Sequence, residues 1–340
     1  MKNKMKYGKP LLICLTPVKN EAWILDRFLK CASLWADYII IADQQSMDGS
    51  IEIAKKYPKV IAIVDREKKY SEKVRQNLLI NEARKINGPK ILITLDADEI
   101  LTGSSLNSSE WKLILNSEPG TVIRFKFLNI YPDFKYYWWP QYYMPWGFVD
   151  DGSMHDGKDI HSSRLPVSGS TREIFLEEIK VMHFQYTDWE RMESKHRWYQ
   201  CYERINHPDK SSIEIFRPYH HMYAIKKSEV KKIPDEWFDY YKQSGIDLAI
   251  ANRQKYYYWE KLVLEFFDKY GTKFFKKEDI WDINWEVAAR DFGYENINKY
   301  RDPRNFFLKI VHFWLRKSQH SHTNIFVRTI DKILKIFFKI

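Results

Sequence analysis

Two carboxylates separated by one residue, Asp96 and Asp98, are the side chains of this 340-residue sequence most clearly suited to chemistry. They follow the apolar run 91–95, which predicts a buried strand whose end places both carboxylates in one small volume. Such paired oxygens suit a hard divalent cation, Mg²⁺ or Mn²⁺, with open positions for phosphate oxygens. The alternative for a lone D-x-D is a solvated turn in which Asp96 caps a helix.

Polar segments also follow two earlier apolar runs. The runs at 11–16 and 38–42 lead into TPVKNEA (16–22) and ADQQSMDGS (42–50), and helical patterns separate the runs. With a further run at 60–64, this alternation predicts βαβ units and a mostly parallel sheet. Ligands bind beyond the carboxyl ends of the strands in such sheets, so the three polar segments predict one binding site.

Glycine-rich phosphate-binding loops do not occur in the sequence. No G-x-G-x-x-G follows the first strand and no G-x-x-x-x-G-K-[ST] occurs anywhere, so dinucleotide and P-loop sites lose their main support. A sugar-1-phosphate nucleotidyltransferase would need a Gly-rich loop with Arg and Lys after the first strand, where TPVKNEA has no glycine. The sequence therefore disfavours all three classes.

Four short motifs follow one another over residues 11–99. They are P-x-x-N-E (Pro17, Asn20, Glu21), D-x-x-S-x-D-G-[ST] (Asp43, Ser46, Asp48, Gly49, Ser50), R-x-N (Arg75, Asn77) and D-x-D (Asp96, Asp98). In this order they resemble the nucleotide-sugar-binding half of the family 2 glycosyltransferases, which have the GT-A fold. The resemblance implies an α/β chain of GT-A type with a mostly parallel central sheet flanked by helices.

The resemblance also implies a reaction, the transfer of a sugar from a nucleoside-diphosphate sugar with inversion at the anomeric carbon. Asp98 would hold Mn²⁺ or Mg²⁺ on the diphosphate, and Asp96 would lie near the ribose or the water shell of the metal. Asp43 and Gln44 would line the nucleoside pocket, with Arg75 close to the base or the phosphates. Many family members carry an acid where this chain has Gln44, and that acid can accept from a uracil N–H. A UDP-sugar is therefore favoured only by what is common in the family.

Inversion by direct displacement needs a base that deprotonates the acceptor hydroxyl, and the usual acidic motif of the family is not evident in the second half of the chain. Asp151 and Asp150 lie in a loop just after an aromatic segment and are the first candidates. Asp156 and Asp188 are the alternatives. For each of them, a solvated loop carboxylate is the competing interpretation.

A third metal ligand is predicted at His183, on the strand-like segment 180–186. Enzymes of GT-A type often complete the metal shell with a later histidine, and neutral imidazole binds Mn²⁺ beside carboxylates. A hydrogen-bonded buried histidine is the alternative. His161 and Arg164 are candidates for contacting the diphosphate or a charged acceptor, unless they lie in a plain surface loop.

The segment 131–148 packs ten aromatic residues among three prolines. Sugar rings stack their C–H faces on Trp and Tyr, so Trp138, Trp139 and Trp146 are candidates for an acceptor wall, to which 198–203 could also belong. The alternative is that these aromatics are core residues.

The sequence shows no internal repeat and no low-complexity linker. We expect a GT-A domain over 1–235, with a nucleotide-sugar-binding half at 11–99 and an acceptor half at 120–235. A helical C-terminal extension then covers 236–340.

Charge is concentrated at the two ends of the chain. Of the net +10, residues 1–10 carry +4 and residues 304–340 carry +7, which leaves a near-neutral body and argues against a nucleic-acid partner. Three scattered cysteines and no apolar run of about 20 residues favour a cytoplasmic protein with reduced thiols.

The basic end 304–340 contains two amphipathic patterns, with Phe, Trp and Ile on one side and Lys and Arg flanking them. Such helices either pack against the domain as core or lie in an anionic lipid interface. With the second option, the chain would be peripheral at the inner face of the cell membrane.

These features predict a metal-dependent glycosyltransferase acting on a glycan or lipid-linked oligosaccharide acceptor in surface polysaccharide synthesis. The alternative is a non-catalytic glycan-binding or scaffold protein on a decayed transferase fold. Asp96, Asp98 and Arg75 argue against that alternative, and the unlocated base motif keeps it open.

Overall fold

The computed structural model describes residues 8–67, 71–159, 162–167, 169–250, 253–338 and 340. The chain divides into two compact units: unit 1 is Met1–Thr187 with Lys231–Ala251, and unit 2 is Asp188–Val230 with Asn252–Ile340. This division differs from the predicted boundary after residue 235, because the segment 188–230 belongs to unit 2. The reason is packing: Cys201 is buried in one apolar cluster with Val263 and Leu264.

Strands in the described residues form a sheet of ten members. Their order is β10-β7-β6-β8-β4-β1-β2-β3, with β5 paired to β9 and β9 paired to β6. The strands are β1 (Leu11–Val18), β2 (Tyr38–Asp43), β3 (Val60–Val64), β4 (Lys90–Thr94), β5 (Glu99–Leu101), β6 (Val122–Ile130), β7 (Tyr136–Trp138), β8 (Tyr143–Val149), β9 (Glu173–His183) and β10 (Val230–Lys232).

Helices flank this sheet in unit 1 and make up most of unit 2. Unit 1 contains α1 (Ala22–Ala32), α2 (Ser50–Ala54), α3 (Glu72–Arg84), α4 (Glu110–Leu115) and α7 (Glu236–Gln243). Unit 2 contains α5 (Trp189–Asn206), α6 (Ser212–Tyr219), α8 (Tyr258–Tyr270), α9 (Trp285–Asp291), α10 (Phe306–Ser318) and α11 (Ile325–Phe338).

The predicted βαβ alternation is confirmed in the part of the sheet formed by β3, β2, β1 and β4. All three pairings there are parallel, as expected when helices connect successive strands. The chain is thus mixed α/β with a central sheet flanked by helices. The later strands β6, β7 and β8 add antiparallel pairings, and β8 pairs directly with β4.

Both faces of β1, β2 and β4 are buried, which explains why their sequences are continuous apolar runs. On β1, Leu12 and Cys14 belong to one apolar cluster, whereas Ile13 and Leu15 belong to another. Successive strand residues point to opposite faces, so these two clusters cover the two sides of the sheet.

The C-terminal helices α10 and α11 pack into unit 2 through one side only. Leu308, Val311 and Leu315 are buried with Phe216, and Leu334 of α11 lies in the same cluster. The core interpretation of 304–340 is therefore correct for one side of each helix. Large apolar side chains on the other sides remain more than half exposed, namely Phe306, Phe313, Ile325, Phe326, Ile336 and Phe337. In the described residues no helix combines the length and apolarity needed to span a bilayer.

A buried histidine on α10 predicts a pH-dependent stability. His312 donates from Nε2 to the carbonyl of Lys277 (3.0 Å), and its Nδ1 accepts from Arg304 (2.9 Å). Burial lowers the pKa of His312 despite the nearby Asp279 carboxylate, so the folded ring stays neutral where the unfolded ring is protonated. Stability should therefore fall as the pH drops below about 6.5, by up to about 1.4 kcal/mol per pH unit.

Urea unfolding at pH 7.5 and pH 5.5 measures this slope. The variant His312→Gln should lose part of the pH dependence, since glutamine does not titrate. The matched control is His207→Gln, because His207 is exposed. Equal slopes in the parent protein and in His312→Gln would contradict the prediction.

Candidate functional site

The predicted polar segments lie beyond the carboxyl ends of β1, β2 and β4, which are parallel neighbours in the sheet. Pro17 is the last but one residue of β1 and pairs with Ala42 of β2. Asp96 and Asp98 follow β4, and the amide of Leu95 donates to the carbonyl of Leu15. One edge of the sheet thus carries all three segments, as the alternating pattern predicts.

The first two polar loops are tied together by the motif residues themselves. The amide of Asn20 donates to Ser46 Oγ (2.9 Å), and Asn20 Oδ1 accepts from the amide of Met47 (2.9 Å). Asn20 has a φ of 55°, a left-handed conformation that asparagine tolerates better than most residues. Glu21 adds a bond from its amide to Ser50 Oγ (2.9 Å). The Asn20 side chain and the amides of Asn20 and Glu21 therefore hold the two loops together.

Gln44 and Arg75, both predicted to contact the nucleotide, are in contact with each other. Arg75 Nη1 donates to Gln44 Oε1 (3.2 Å), and Gln44 Nε2 lies 3.5 Å from Asp65 Oδ2. Asp43 is buried, and its carboxylate accepts from the amide of Ser46 at 3.2–3.3 Å, which closes the turn after β2. Asp65, which the sequence analysis missed, brings a carboxylate close to Gln44. Many family 2 glycosyltransferases carry an acid at the position that Gln44 occupies here.

Asp98 and His183 face each other at the same edge. The distance from Asp98 Oδ2 to His183 Nε2 is 3.7 Å. Strand register explains the approach, since His183 pairs with Glu99 of β5 on one side and with Asn129 of β6 on the other. His183 Nδ1 lies 2.8 Å from Asn129 Oδ1, an oxygen that can only accept. This contact assigns the proton to Nδ1 and leaves the lone pair of Nε2 on the side of Asp98.

The side chains at this edge provide part of a ligand set for a divalent cation. Within the described ranges, no three His, Cys, Asp or Glu side chains converge as a complete metal-binding group. Of the three predicted metal ligands, Asp96, Asp98 and His183, only Asp98 and His183 face each other. Asp98 and His183 nonetheless present an anionic oxygen and a nitrogen lone pair to each other, held by Asn129 as outer-shell partners hold metal ligands. Mg²⁺ sites commonly use one or two protein ligands plus phosphate and water oxygens, so the pair fits such an ion.

Asp96 makes a different contact. Its Oδ2 accepts from Arg164 Nη2 (2.7 Å), and the same guanidinium donates from Nη1 to Glu99 (2.6 Å). Glu99 is buried, and burial raises its pKa to about 7, with Asp96 and Asp98 adding to the effect and Arg164 opposing it. The guanidinium carbon of Arg164 lies 4.4 Å from the ring centroid of Trp146. Arg164 is thus fixed beside the D-x-D, whereas its neighbour His161 lies outside the described residues.

The candidate base residues are not brought to this edge. The amide of Asp150 donates to the carbonyl of Lys90, at the start of β4, and its carboxylate is ion-paired with Arg84 (2.7 Å). The D-x-D follows the other end of β4, and the five-residue strand spans roughly 16 Å. Asp151 bonds locally to the amide of Ser153 (2.9 Å). The antiparallel course of β8 beside β4 explains this placement, because it returns the chain to the opposite edge.

The two alternative base residues also have structural contacts. Asp156 forms an exposed ion pair with Lys73 (2.8 Å). Asp188 is buried in unit 2, where it caps α5 by accepting from the amide of Arg191 (3.0 Å). Neither contact gives these residues a place beside Asp98.

The aromatic segment is largely core. Trp138 and Trp146 are buried, so the two cannot form an exposed acceptor wall. Trp139 is partly buried, and its indole donates to the carbonyl of Tyr142 (3.1 Å). The segment 198–203 lies on α5 in unit 2.

The sequence analysis did not single out two further residues of the site, Asn129 and Glu99. Asn129 lies inside a long strand, and only its pairing with His183 reveals its role. Glu99 follows Asp98 directly and could have been found from the run LDADE, because a third carboxylate there would need a cation such as Arg164.

If Asp98 and His183 hold a metal ion, replacing Asn129 should weaken the binding of that ion through the orientation of His183. In Asn129→Leu the Nδ1 proton loses its acceptor, so the affinity for Mn²⁺ should fall by about tenfold. Asn129→Asp keeps an acceptor oxygen and should retain the affinity. Titration calorimetry with Mn²⁺ measures both, and a loss of equal size in the two variants would show that the bond to His183 does not matter.

Comparison with known proteins adds little to this geometry. No protein-family model and no curated protein sequence matches the chain. The solved structure of glucosyl-3-phosphoglycerate synthase from Mycobacterium tuberculosis, in complex with Mn²⁺, UDP and phosphoglyceric acid, aligns at 16% identity with a TM-score of 0.25. The alignment covers 35% of this chain and 44% of that chain. A TM-score this low does not establish a shared fold, and no assignment rests on it.

Proposed function

We propose that the chain is an inverting, metal-dependent glycosyltransferase of GT-A type that takes its sugar from a nucleoside-diphosphate sugar, with a UDP-sugar favoured. The observation that carries this proposal is the facing pair Asp98 and His183 at the carboxyl edge of the parallel strands. Two polar loops that are hydrogen-bonded to each other border the same edge, and their motifs resemble those of the family 2 glycosyltransferases. Together these features favour a site for a diphosphate and its cation.

In this proposal each residue at the edge has a distinct task. Asp98 and His183 hold Mn²⁺ or Mg²⁺, which when bound would neutralise the charge that develops on the diphosphate leaving group. Gln44 and Arg75 contact the nucleoside, supported by the buried turn of Asp43. Asp96, which is ion-paired with Arg164, would accept a hydrogen bond from a ribose hydroxyl.

A lipid-linked glycan is the acceptor class that the C-terminal helices favour. Exposed apolar side chains lie at helical spacing on α10, at Phe306, Ile310 and Phe313, with Lys309 and Lys317 near them. An exposed apolar stripe flanked by cations suits the interface of an anionic bilayer. Peripheral association with the inner face of the cell membrane and a role in surface polysaccharide synthesis both extend this proposal.

Calorimetric titration of UDP, GDP, CDP and dTDP, each with and without Mn²⁺, tests the donor site. We expect one nucleotide to bind tightly only when Mn²⁺ is present. Binding of none of the four by the folded protein would contradict the proposal and favour the scaffold alternative. Binding without turnover of the matching sugar nucleotide would likewise favour a non-catalytic protein.

A further inference from the structure

Unit 2 contains a cavity of about 170 Å³ that the proposed function does not use. One wall is a face of α5 formed by Glu193, His196, Arg197 and Gln200, at the spacing i, i+3, i+4 and i+7. The inward face of such a helix is normally apolar. Here His196, Arg197 and Gln200 are all buried, with Gln200 only 1% exposed.

Three buried polar atoms on this face have no hydrogen-bond partner in the part of the protein that the structure describes: His196 Nδ1, Arg197 Nε and Gln200 Oε1. Gln200 Nε2 donates to the carbonyl of Asp279 (3.3 Å), which leaves Oε1 as an acceptor. Burial and nearby cationic groups lower the pKa of His196, so its ring is neutral. The other nitrogen of that ring donates a hydrogen bond to the backbone of Tyr219, so Nδ1 is the nitrogen that can accept. An unsatisfied buried polar group costs about 1–3 kcal/mol, so these atoms require a partner.

Both guanidinium groups that line the cavity are already paired with carboxylates. Arg197 pairs with Asp282 (2.8 Å), and Arg316 pairs with Asp279 (2.5 Å). Glu193 accepts from the hydroxyl of Tyr223 and adds a further acidic group. No guanidinium is left to pair with a phosphate or carboxylate at the cavity wall, so a neutral ligand fits better than an anion.

The pattern of atoms narrows the ligand further. Two acceptors need donors from the ligand, and one donor, Arg197 Nε, needs an acceptor. An ammonium group can only donate, whereas a hydroxyl both donates and accepts. Phe216 and Met222 also line the cavity and are apolar, which suits the C–H face of a sugar ring.

We propose that this cavity binds one neutral sugar residue through its hydroxyl groups. The volume is several times the share of one water molecule, about 30 Å³, and below the range of about 300–1,000 Å³ for drug-sized ligands. The site lies wholly within unit 2 and uses no residue of the metal site in unit 1. Sugar binding in this cavity can therefore be tested independently of the proposed nucleotide binding.

Saturation-transfer difference NMR on the full chain tests the proposal, with D-glucose, D-galactose and D-mannose as probes. At least one hexose should bind with a millimolar dissociation constant, and His196→Phe and Gln200→Leu should each weaken it by tenfold or more. Asn206→Ala, on an exposed position of α5, is the matched control and should bind like the parent protein. Manganese-dependent nucleotide binding should be unchanged in all three variants.

Hydrogen–deuterium exchange of the unmodified protein gives a second readout, which does not depend on whether the variants fold. Addition of the bound hexose should slow exchange in α5 and in the segment 212–224, and should leave β1 to β4 unchanged. Failure of all three hexoses to bind would overturn the proposal and indicate that water satisfies the polar atoms. Binding that neither variant weakens, or protection elsewhere in the chain, would also overturn it.

Discussion

Replacing Asp98 by asparagine is expected to weaken manganese-dependent nucleotide binding by about a hundredfold or more, with little change in melting temperature. The expected size exceeds the 10- to 100-fold typical of outer-shell changes, because the variant removes a direct anionic ligand. The fold should survive, since the backbone carbonyl of Asp98, which accepts from the amide of Phe184 (2.8 Å), is unaffected. Calorimetric titration of the preferred nucleotide with and without Mn²⁺ measures the effect.

A double-variant cycle makes this test more specific. If Asp98 and His183 hold one cation, the double variant Asp98→Asn with His183→Gln should bind little worse than either single variant, because the first loss already removes the shared ion. Glu52→Gln is the control, as it removes one exposed carboxylate of unit 1 and should leave binding unchanged. Full Mn²⁺ dependence in Asp98→Asn would remove the metal assignment. Fully additive losses would show that the two side chains act separately.

Removal of the exposed apolar side chains of α10 and α11 is expected to abolish binding to anionic vesicles. The triple variant Phe306→Ser, Phe313→Ser and Phe337→Ser removes three rings that are 79%, 62% and 73% exposed, so the core should be little affected. Each ring contributes roughly 1.5–3 kcal/mol when fully buried in an apolar environment, and three should therefore change partitioning by at least a hundredfold. Co-sedimentation with phosphatidylcholine vesicles containing phosphatidylglycerol measures this partitioning.

Charge variants separate the lipid surface from a protein partner. Lys309→Gln, Lys317→Gln and Lys332→Gln together should weaken binding to the anionic vesicles by about 1 kcal/mol per lysine, and added salt should reduce the effect. The matched control is Lys55→Gln, Lys56→Gln and Lys112→Gln, which removes the same charge from unit 1. Equal binding to neutral and anionic vesicles would contradict the electrostatic part of the proposal. No vesicle binding by the parent protein would indicate that the apolar stripe faces another protein.

The anchorage of α11 explains how these rings stay exposed in a folded unit. Arg217 of α6 makes bonds of 2.8–3.1 Å to the carboxylate of Asp331, and it also donates to the carbonyl of Leu315. This buried polar link and the contact of Leu334 with the apolar cluster hold one side of the helix. The Phe and Ile side chains on the remaining surface are therefore not needed for packing. The amphipathic pattern alone does not show which of the apolar side chains are buried and which remain exposed.

The placement of the edge loops could be predicted from local patterns. Apolar runs such as 91–95 specify buried strands, and the intervening helical patterns require parallel pairing, so the segments after the strands must meet at one edge. The segments that contain Asp43 and Asp98 were singled out in this way, whereas the roles proposed for Gln44 and Arg75 come from the resemblance to the family 2 glycosyltransferases. That logic does not extend to Asp150 and Asp151, since the sequence does not reveal that β8 runs antiparallel beside β4 and returns them to the opposite edge.

By itself, then, the sequence determined the parallel strands, the shared edge and the D-x-D beside it, because each depends on periodicity within about 30 residues. The tertiary structure alone decided which side chains meet there. His183 reaches Asp98 only through the pairing of β9 with β5 and β6. Asp96, predicted as a metal ligand, is instead ion-paired with Arg164. The tertiary structure also placed α5 in unit 2. Such contacts join residues far apart in the chain, and their energies depend on burial and register that no local pattern encodes.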